Sequence, residues 1–352
     1  MSSRRSSDAW PLPLLLLVGC AKPIVDSSTG PMLGSTEPVV HSFTGPTMGS
    51  TYEVMFVGDT PLATVRAAAE EELAAIDLAF SQWRPDSEIA RVNAHRSTEP
   101  LPLSPRFAAL LTEALQFAAA TEGVFDPTVR PLSVLYRDAK RTGRAIEPAA
   151  LAAAKARVGH RAVTVRDGML WKHRPDVEID LDGLVAGAAC DAIGARLQAL
   201  GVSGFYLEVT GEVLCHGEKG PGLPWRIGVV DPRSDAFGGQ AATRIVELRD
   251  RSLCTSGDYR NALVLDGDVL HHVFDPRTGH NAPHRVVSAS ILARRAAVAD
   301  ALGTACLVLG EQGVRAHWPA LRALGAEAAL LLAVDERGDL VATEFDWPAA
   351  IR

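Results

Sequence analysis

None of the five cysteines stands in a CxxC or other zinc-ligand spacing, which excludes a zinc finger or zinc ribbon. Positive charge is not in surplus either: 35 Lys+Arg face 42 Asp+Glu, a formal net charge of -7. Such a surface offers no general attraction for nucleic-acid phosphates, so nucleic acid is not an expected partner. Any phosphate must then be met by a local site, by backbone amides or through a metal. The one marked apolar run, over residues 12–18, falls well short of the roughly twenty residues that a spanning helix needs. Beyond Val40 there is no low-complexity stretch and no internal repeat, so neither a fibrous nor a repeat architecture is expected. What remains is 352 residues, 47% hydrophobic and 22% charged, enough to bury a large core.

The N-terminus differs from the rest. Arg4 and Arg5 precede the apolar run, which ends at Gly19-Cys20. This is the layout of an export signal. Leu17-Val18-Gly19-Cys20 also resembles a bacterial lipobox, in which Cys20 becomes the lipidated first residue of the mature chain. Residues 1–19 therefore read as a lipoprotein signal peptide, with an ordinary cleaved signal as the alternative. Residues 20–41, rich in Ser, Thr, Gly and Pro, read as a flexible tether, and residues 42–352 as one folded domain. The expected place is the bacterial cell envelope, lipid-anchored on the periplasmic side of a membrane. Cys190, Cys215, Cys254 and Cys306 read as small buried hydrophobes, although an oxidising compartment permits a disulfide.

Helices are expected after Asp59-Thr60-Pro61, after Ser104-Pro105 and from Pro148. Strands fall at 51–57, 205–209, 226–230, 244–248 and 286–292, with hairpins over Asp167-Gly168 within 162–171, over Asp266-Gly267, and over Arg337-Gly338 within 330–341. Hairpins outnumber strand-helix-strand units. The fold class is accordingly α+β: mostly antiparallel sheets flanked by helices in a single large domain.

Several segments could carry chemistry. Thr44-Gly45-Pro46-Thr47-Met48-Gly49-Ser50 reads either as a small-residue turn or as a close backbone approach to a ligand. Gly123-Val124-Phe125-Asp126-Pro127-Thr128 sets an aromatic and a carboxylate in a loop after a helix. Val177-Glu178-Ile179-Asp180-Leu181-Asp182-Gly183 is expected to be a strand feeding a helix N-terminus, a geometry that suits a pyrophosphate, with Asp180 and Asp182 on one face of the strand, fit for a cation or simply for solvent. Asp300 and Thr304, at i and i+4 of a helix, stack two hard oxygens on one face, fit for Mg²⁺ or simply for water. His271-His272-Val273-Phe274-Asp275-Pro276-Arg277-Thr278-Gly279 ends a strand, and His272 is either solvent-facing or a phosphate contact and proton-transfer group.

In this order, and with Ser81 through Trp83 to Asn93 and Thr255-Ser256-Gly257-Asp258-Tyr259-Arg260 between them, these segments resemble the FAD:protein FMN transferases, the ApbE-type family. The resemblance implies an enzyme that moves FMN from FAD to a Thr or Ser hydroxyl with Mg²⁺ and releases AMP. By the same resemblance Met48, Trp83, Val124, Phe125, Asp126, Asp180, Ala186 and His272 line the FAD site. Gly183, Asp300 and Thr304 are the implied Mg²⁺ ligands, and His272 the implied catalytic group. The implied acceptor is an exported flavoprotein, a subunit of a membrane redox complex. Two positions depart from the family pattern: Ala186 stands where Lys or another polar residue is usual, and Thr210-Gly211 where Gly-Gly is. They leave open a non-transferring FAD carrier, and the metal constellation leaves open an FAD pyrophosphatase.

Overall fold

The structure, a computed structural model, describes residues 24–25, 39–232, 242–257, 263–265, 268–270, 273–281 and 285–348. Its strands are β1 (Ile24–Val25), β2 (Val40–Thr47), β3 (Ser50–Val57), β4 (Leu101–Pro102), β5 (Val163–Arg166), β6 (Met169–Lys172), β7 (Gly204–Val209), β8 (Glu212–His216), β9 (Trp225–Val230), β10 (Ala242–Leu248), β11 (Arg251–Gly257), β12 (Leu263–Leu265), β13 (Asp268–Leu270), β14 (Val286–Ala293), β15 (Ala326–Val334) and β16 (Leu340–Phe345). The helices are α1 (Leu62–Phe80), α2 (Glu88–Ala94), α3 (Pro105–Ala120), α4 (Arg130–Thr142), α5 (Pro148–Lys155), α6 (Asp182–Ala199) and α7 (Ala296–Ala323).

An eight-stranded sheet in the order β16-β15-β14-β11-β8-β7-β3-β2 forms the spine, and every described pairing in it is antiparallel. One face packs against α1, α3, α6 and α7 in a core that includes Phe56, Phe107, Leu184, Ile193 and Leu302. The other face packs against β9 and β10 through Trp225, Ile227, Val246 and Leu330. This layering is the expected α+β arrangement, and burial of apolar area on both faces of the sheet is what holds it. The two described residues of the stretch read as a tether, Ile24 and Val25, pair with Gly228 and Ile227 of β9.

Local chemistry explains the elements near the cleft. Ser104 Oγ caps α3 by accepting from Phe107 N–H, with Pro105 at the first helical position. Ser87 Oγ caps the short α2 through Ala90 N–H. At the far end of α2 the ammonium of Lys172, 1% exposed, donates to the carbonyls of Val92 at 2.7 Å and His95 at 2.9 Å. The β2–β3 turn falls on Met48-Gly49, both at positive φ, and Thr44 to Thr47 belong to β2. Gly45 is required there because a Cβ would lie 2.5 Å from the Tyr52 ring.

The segment before α6 differs from expectation. Residues 177–181 are buried but pair with no strand. The side-chain amide of Asn93 takes the partner's place: Ile179 N–H donates to its Oδ1 at 2.6 Å, and its Nδ2 donates back to Ile179 O at 2.9 Å. A side chain that satisfies both backbone groups leaves no ladder to extend. Asp180 and Asp182 therefore do not share one face of a strand; the second opens α6.

Candidate active site

The N-terminus of α6 is built by Asp180. Its N–H donates to Pro127 O at 2.8 Å, and its Oδ1 accepts from Asp182 N–H at 3.1 Å, an Asx-type cap that starts the helix. Gly183 follows, and a methyl placed on it would lie 3.4 Å from Phe125 Cε2 and 3.5 Å from Thr304 Oγ1. Three stretches remote in sequence thus meet at one point: the 123–128 loop, the start of α6 and the first half of α7. Thr304 Oγ1 lies 3.5 Å from Ser256 Oγ at the end of β11, so the Thr255-Ser256-Gly257 motif reaches the same corner.

One turn further along α6, Gly187 N–H donates to Asp300 Oδ2 at 3.0 Å. The helices touch closely here, since a Cβ on Gly187 would fall 2.4 Å from Ala296 O. Asp300 is 6% exposed, and its Oδ1 accepts no hydrogen bond from the described residues. Burial, then the Glu212 carboxylate beside it, push its carboxyl well above the usual range, against the pull of Gly187 N–H. A buried anion with a vacant oxygen, a hydroxyl at i+4 and a side-chain-free Gly183 form a donor set of hard oxygens suited to Mg²⁺. Among the described residues no group of three or more His, Cys, Asp or Glu could hold a metal.

The aromatic side of the cleft comes from the 123–128 loop, packed on α3, and from Trp83 ahead of α2, packed on α4. Phe125 is buried edge-on against Phe117 with ring centroids 6.1 Å apart, and Val124 is buried beside it. Trp83 is 69% exposed, and the Arg137 guanidinium lies 4.7 Å from its ring centroid. Asp182 is exposed at the cleft, yet protein crowding and Asp180 raise its carboxyl to about 7, opposed by Arg137 and Arg130.

Asp126 is occupied internally: its Oδ1 accepts from Thr128 N–H at 2.8 Å and Thr128 Oγ at 2.6 Å, and its Oδ2 from His160 N–H at 2.9 Å. It shapes the loop that presents Phe125. Met48 sits at the tip of the β2–β3 hairpin, at the same end as the Thr210-Gly211 turn, whose Thr210 N–H donates to Thr51 O at 3.0 Å. Ala186 is half-buried on α6, between the turns that carry Gly183 and Gly187. His272, Cys20 and the Asp258-Tyr259-Arg260 part of its motif lie outside the described residues. The rest of the His272 motif docks on α4: Phe274 stacks on Tyr136 at 4.8 Å, and Tyr136 Oη donates to Gly279 O at 3.0 Å.

Arg130, Arg137 and Gln82 escaped the sequence reading. Arg130 and Arg137 are seven apart, two turns on one face of α4, and that spacing was the available signal. Cys190, Cys215, Cys254 and Cys306 are all free and buried. No helix among the described residues is long and apolar enough to cross a membrane.

The sequence profile of the ApbE family matches residues 48–326. The chain is 33% identical over 305 residues to the FAD:protein FMN transferase of Vibrio cholerae serotype O1, covering 85% of this chain and 86% of that one. It is 34% identical over 304 residues to the FAD:protein FMN transferase of Klebsiella pneumoniae, with 85% of each chain covered. Among solved structures, the apo form of the Pseudomonas stutzeri flavinyl transferase ApbE superposes with a TM-score of 0.76 at 33% identity, covering 87% of this chain and 95% of that one.

Proposed function

The chain belongs to the ApbE family, and from that membership we propose that it transfers FMN from FAD to a Thr or Ser hydroxyl of an exported flavoprotein and releases AMP. The observation that carries the reading is the meeting of Phe125, Gly183 and Thr304 at one point, with Asp300 one turn below. The hydroxyl oxygen of the acceptor forms a bond to the FMN phosphorus, the phosphoanhydride bond to AMP breaks, and AMP leaves with the bridging oxygen. The hydroxyl proton goes to a base, for which His272 is the candidate.

Gly183, Asp300 and Thr304 would hold Mg²⁺ through a backbone carbonyl, a carboxylate and a hydroxyl, and the ion would neutralise charge that builds on the phosphates. Trp83 and Phe125 offer flat apolar surface to ring systems of FAD, and Val124 backs that surface. Asp180 fixes the start of α6, whose dipole favours a phosphate at its N-terminus. Arg130 and Arg137 set positive charge on the same side, which offsets the absence of a basic residue at Ala186. Met48, at the tip of the β2–β3 hairpin, is assigned to the FAD site by the family resemblance alone.

Incubation of the protein with FAD, Mg²⁺ and an acceptor flavoprotein is expected to give an acceptor that fluoresces after denaturation, with one AMP per flavin attached. AMP without covalent flavin, whether or not acceptor is present, would point to a pyrophosphatase. FAD binding with no turnover would point to a carrier. We also propose export and anchoring at the periplasmic face of a membrane through Cys20, supported by Arg4, Arg5 and the apolar run ending in Gly19-Cys20. The Cys20→Ser variant should then move from the membrane fraction to the soluble one.

A further inference from the structure

On the side of α4 that faces α2, three guanidinium groups meet a single carboxylate. Arg96 Nη2 lies 2.7 Å from Glu178 Oε1, Arg157 Nη1 lies 3.3 Å from the same oxygen, and Arg130 Nε lies 3.2 Å from Oε2. Three charges of one sign against one of the other leave the group two positive charges in excess. A cavity of about 240 Å³ opens at this place, lined by Gln82, Ile89, Asn93, Arg96, Arg130 and Glu178. Arg130 Nη1 is buried at the cavity and donates to nothing among the described residues. An unused guanidinium N–H away from water costs free energy unless an acceptor arrives.

Gln82 leaves both its amide oxygen and its amide nitrogen buried at the same cavity without a hydrogen bond among the described residues. Asn93 spends its amide on Ile179. Lys172, behind α2, spends its ammonium on two carbonyls, and burial followed by repulsion from Arg96 lowers its pKa to about 8. Positive charge therefore accumulates around a space large enough for a tetrahedral oxyanion and several waters. Guanidinium groups present paired N–H donors whose spacing matches two oxygens of a phosphate.

We propose that this cavity is a binding subsite for a phosphate group, distinct from the Gly183–Thr304 corner. The phosphate would take the free N–H of Arg130 and share Arg96 with Glu178. Gln82 and Arg130 line this cavity and also act on Asp182, so an anion here screens the positive field at the flavin cleft. The subsite does not depend on the transferase reading, because its occupant is defined by charge and shape alone.

Isothermal titration of the full-length protein with inorganic phosphate, AMP and adenosine, without flavin and at ionic strength fixed by chloride, tests the assignment. Phosphate and AMP are expected to bind and adenosine is not. Arg96→Gln should weaken phosphate roughly fivefold, as expected for one partly exposed charge, and Arg96→Lys should restore much of the loss. Glu178→Gln removes the internal competitor and should tighten phosphate by a similar factor. AMP binding that Arg96→Gln weakens as it weakens phosphate identifies a nucleotide as the source, whereas AMP binding that this variant leaves unchanged belongs to the flavin cleft and identifies free phosphate; both uphold the subsite when Arg96→Gln weakens phosphate. Absence of phosphate binding to the wild type, or wild-type affinity in Arg96→Gln, overturns it. Should Glu178→Gln fail to fold, the two Arg96 variants decide alone.

Discussion

Replacing Asp300 by Asn separates what this side chain does for the fold from what it does for the chemistry. The amide can still accept from Gly187 N–H, so the one hydrogen bond to the carboxylate survives. What is lost is a negative charge that burial and Glu212 oppose. Because the folded-state pKa is raised above the ordinary value, the folded protein binds the proton more tightly than the unfolded chain does. Stability linked to that proton is complete at acid pH and is lost as pH rises toward the folded value. At neutral pH without metal, Asp300→Asn should therefore match the wild type or exceed it, by about 1–3 kcal/mol in urea unfolding, since removing an uncompensated buried charge is neutral to stabilising. Adding Mg²⁺ should raise the wild-type melting temperature and leave the variant's unchanged. Flavin transfer to an acceptor, read as in-gel fluorescence, should fall at least about 100-fold, in line with losing a preorganised electrostatic contact. A variant that keeps both the Mg²⁺ shift and the transfer rate would refute Asp300 as a metal ligand. A metal-free variant that is strongly destabilised would refute the account of its buried charge.

Gly183→Ala should cost no more than about 0.5 kcal/mol in stability, because the new methyl meets Phe125 and Thr304 at ordinary contact distances; FAD affinity, followed by flavin fluorescence quenching, should nevertheless drop about tenfold or more, as the methyl occupies the meeting point. Thr210 has φ of 56°, a conformation that costs a β-branched residue about 1–2 kcal/mol, so Thr210→Asn should gain about 1 kcal/mol in denaturant midpoint experiments. Lys172→Met strands the carbonyls of Val92 and His95 and should cost about 2–3 kcal/mol at pH 7. Since the Lys172 pKa is lowered from 10.5 to about 8, the folded protein sheds that proton first, and wild-type stability should rise relative to the Met variant between those two pH values.

Turn chemistry and helix caps made much of this architecture readable. Asp167-Gly168 does form a two-residue hairpin, with φ of 52° and 71°, and Ser104-Pro105 does open α3. Both depend on neighbours in sequence. The boundaries that shifted depend on neighbours in space: β15 starts at Ala326, four residues before the expected 330, because its first residues pair with β14. The 177–181 segment looks like a strand in sequence, and only the fold reveals that Asn93 replaces its partner. At the site, helical spacing set Asp300 and Thr304 on one face but left them between a cation and water, and it was the family resemblance that joined them to Gly183. Arg130 and Arg137 were not legible, because their meaning comes from Asp182 and Trp83, which lie far from α4 in sequence, and neither was Gln82, whose partner Asp182 is equally remote. The internal engagement of Asp126 was equally hidden, since His160 is 34 residues away.

Cys190, Cys215, Cys254 and Cys306 show no exposed surface, and burial raises the pKa of each thiol. Oxidants and alkylating reagents act on thiolates that they can reach, so the native protein keeps its sulfurs chemically silent even in oxidising surroundings. Each becomes reactive only when the layer covering it opens. Maleimide labelling, resolved by site through mass spectrometry, would thus time the loosening of the two sheet faces separately: Cys215 for the side toward β9, the other three for the helical side.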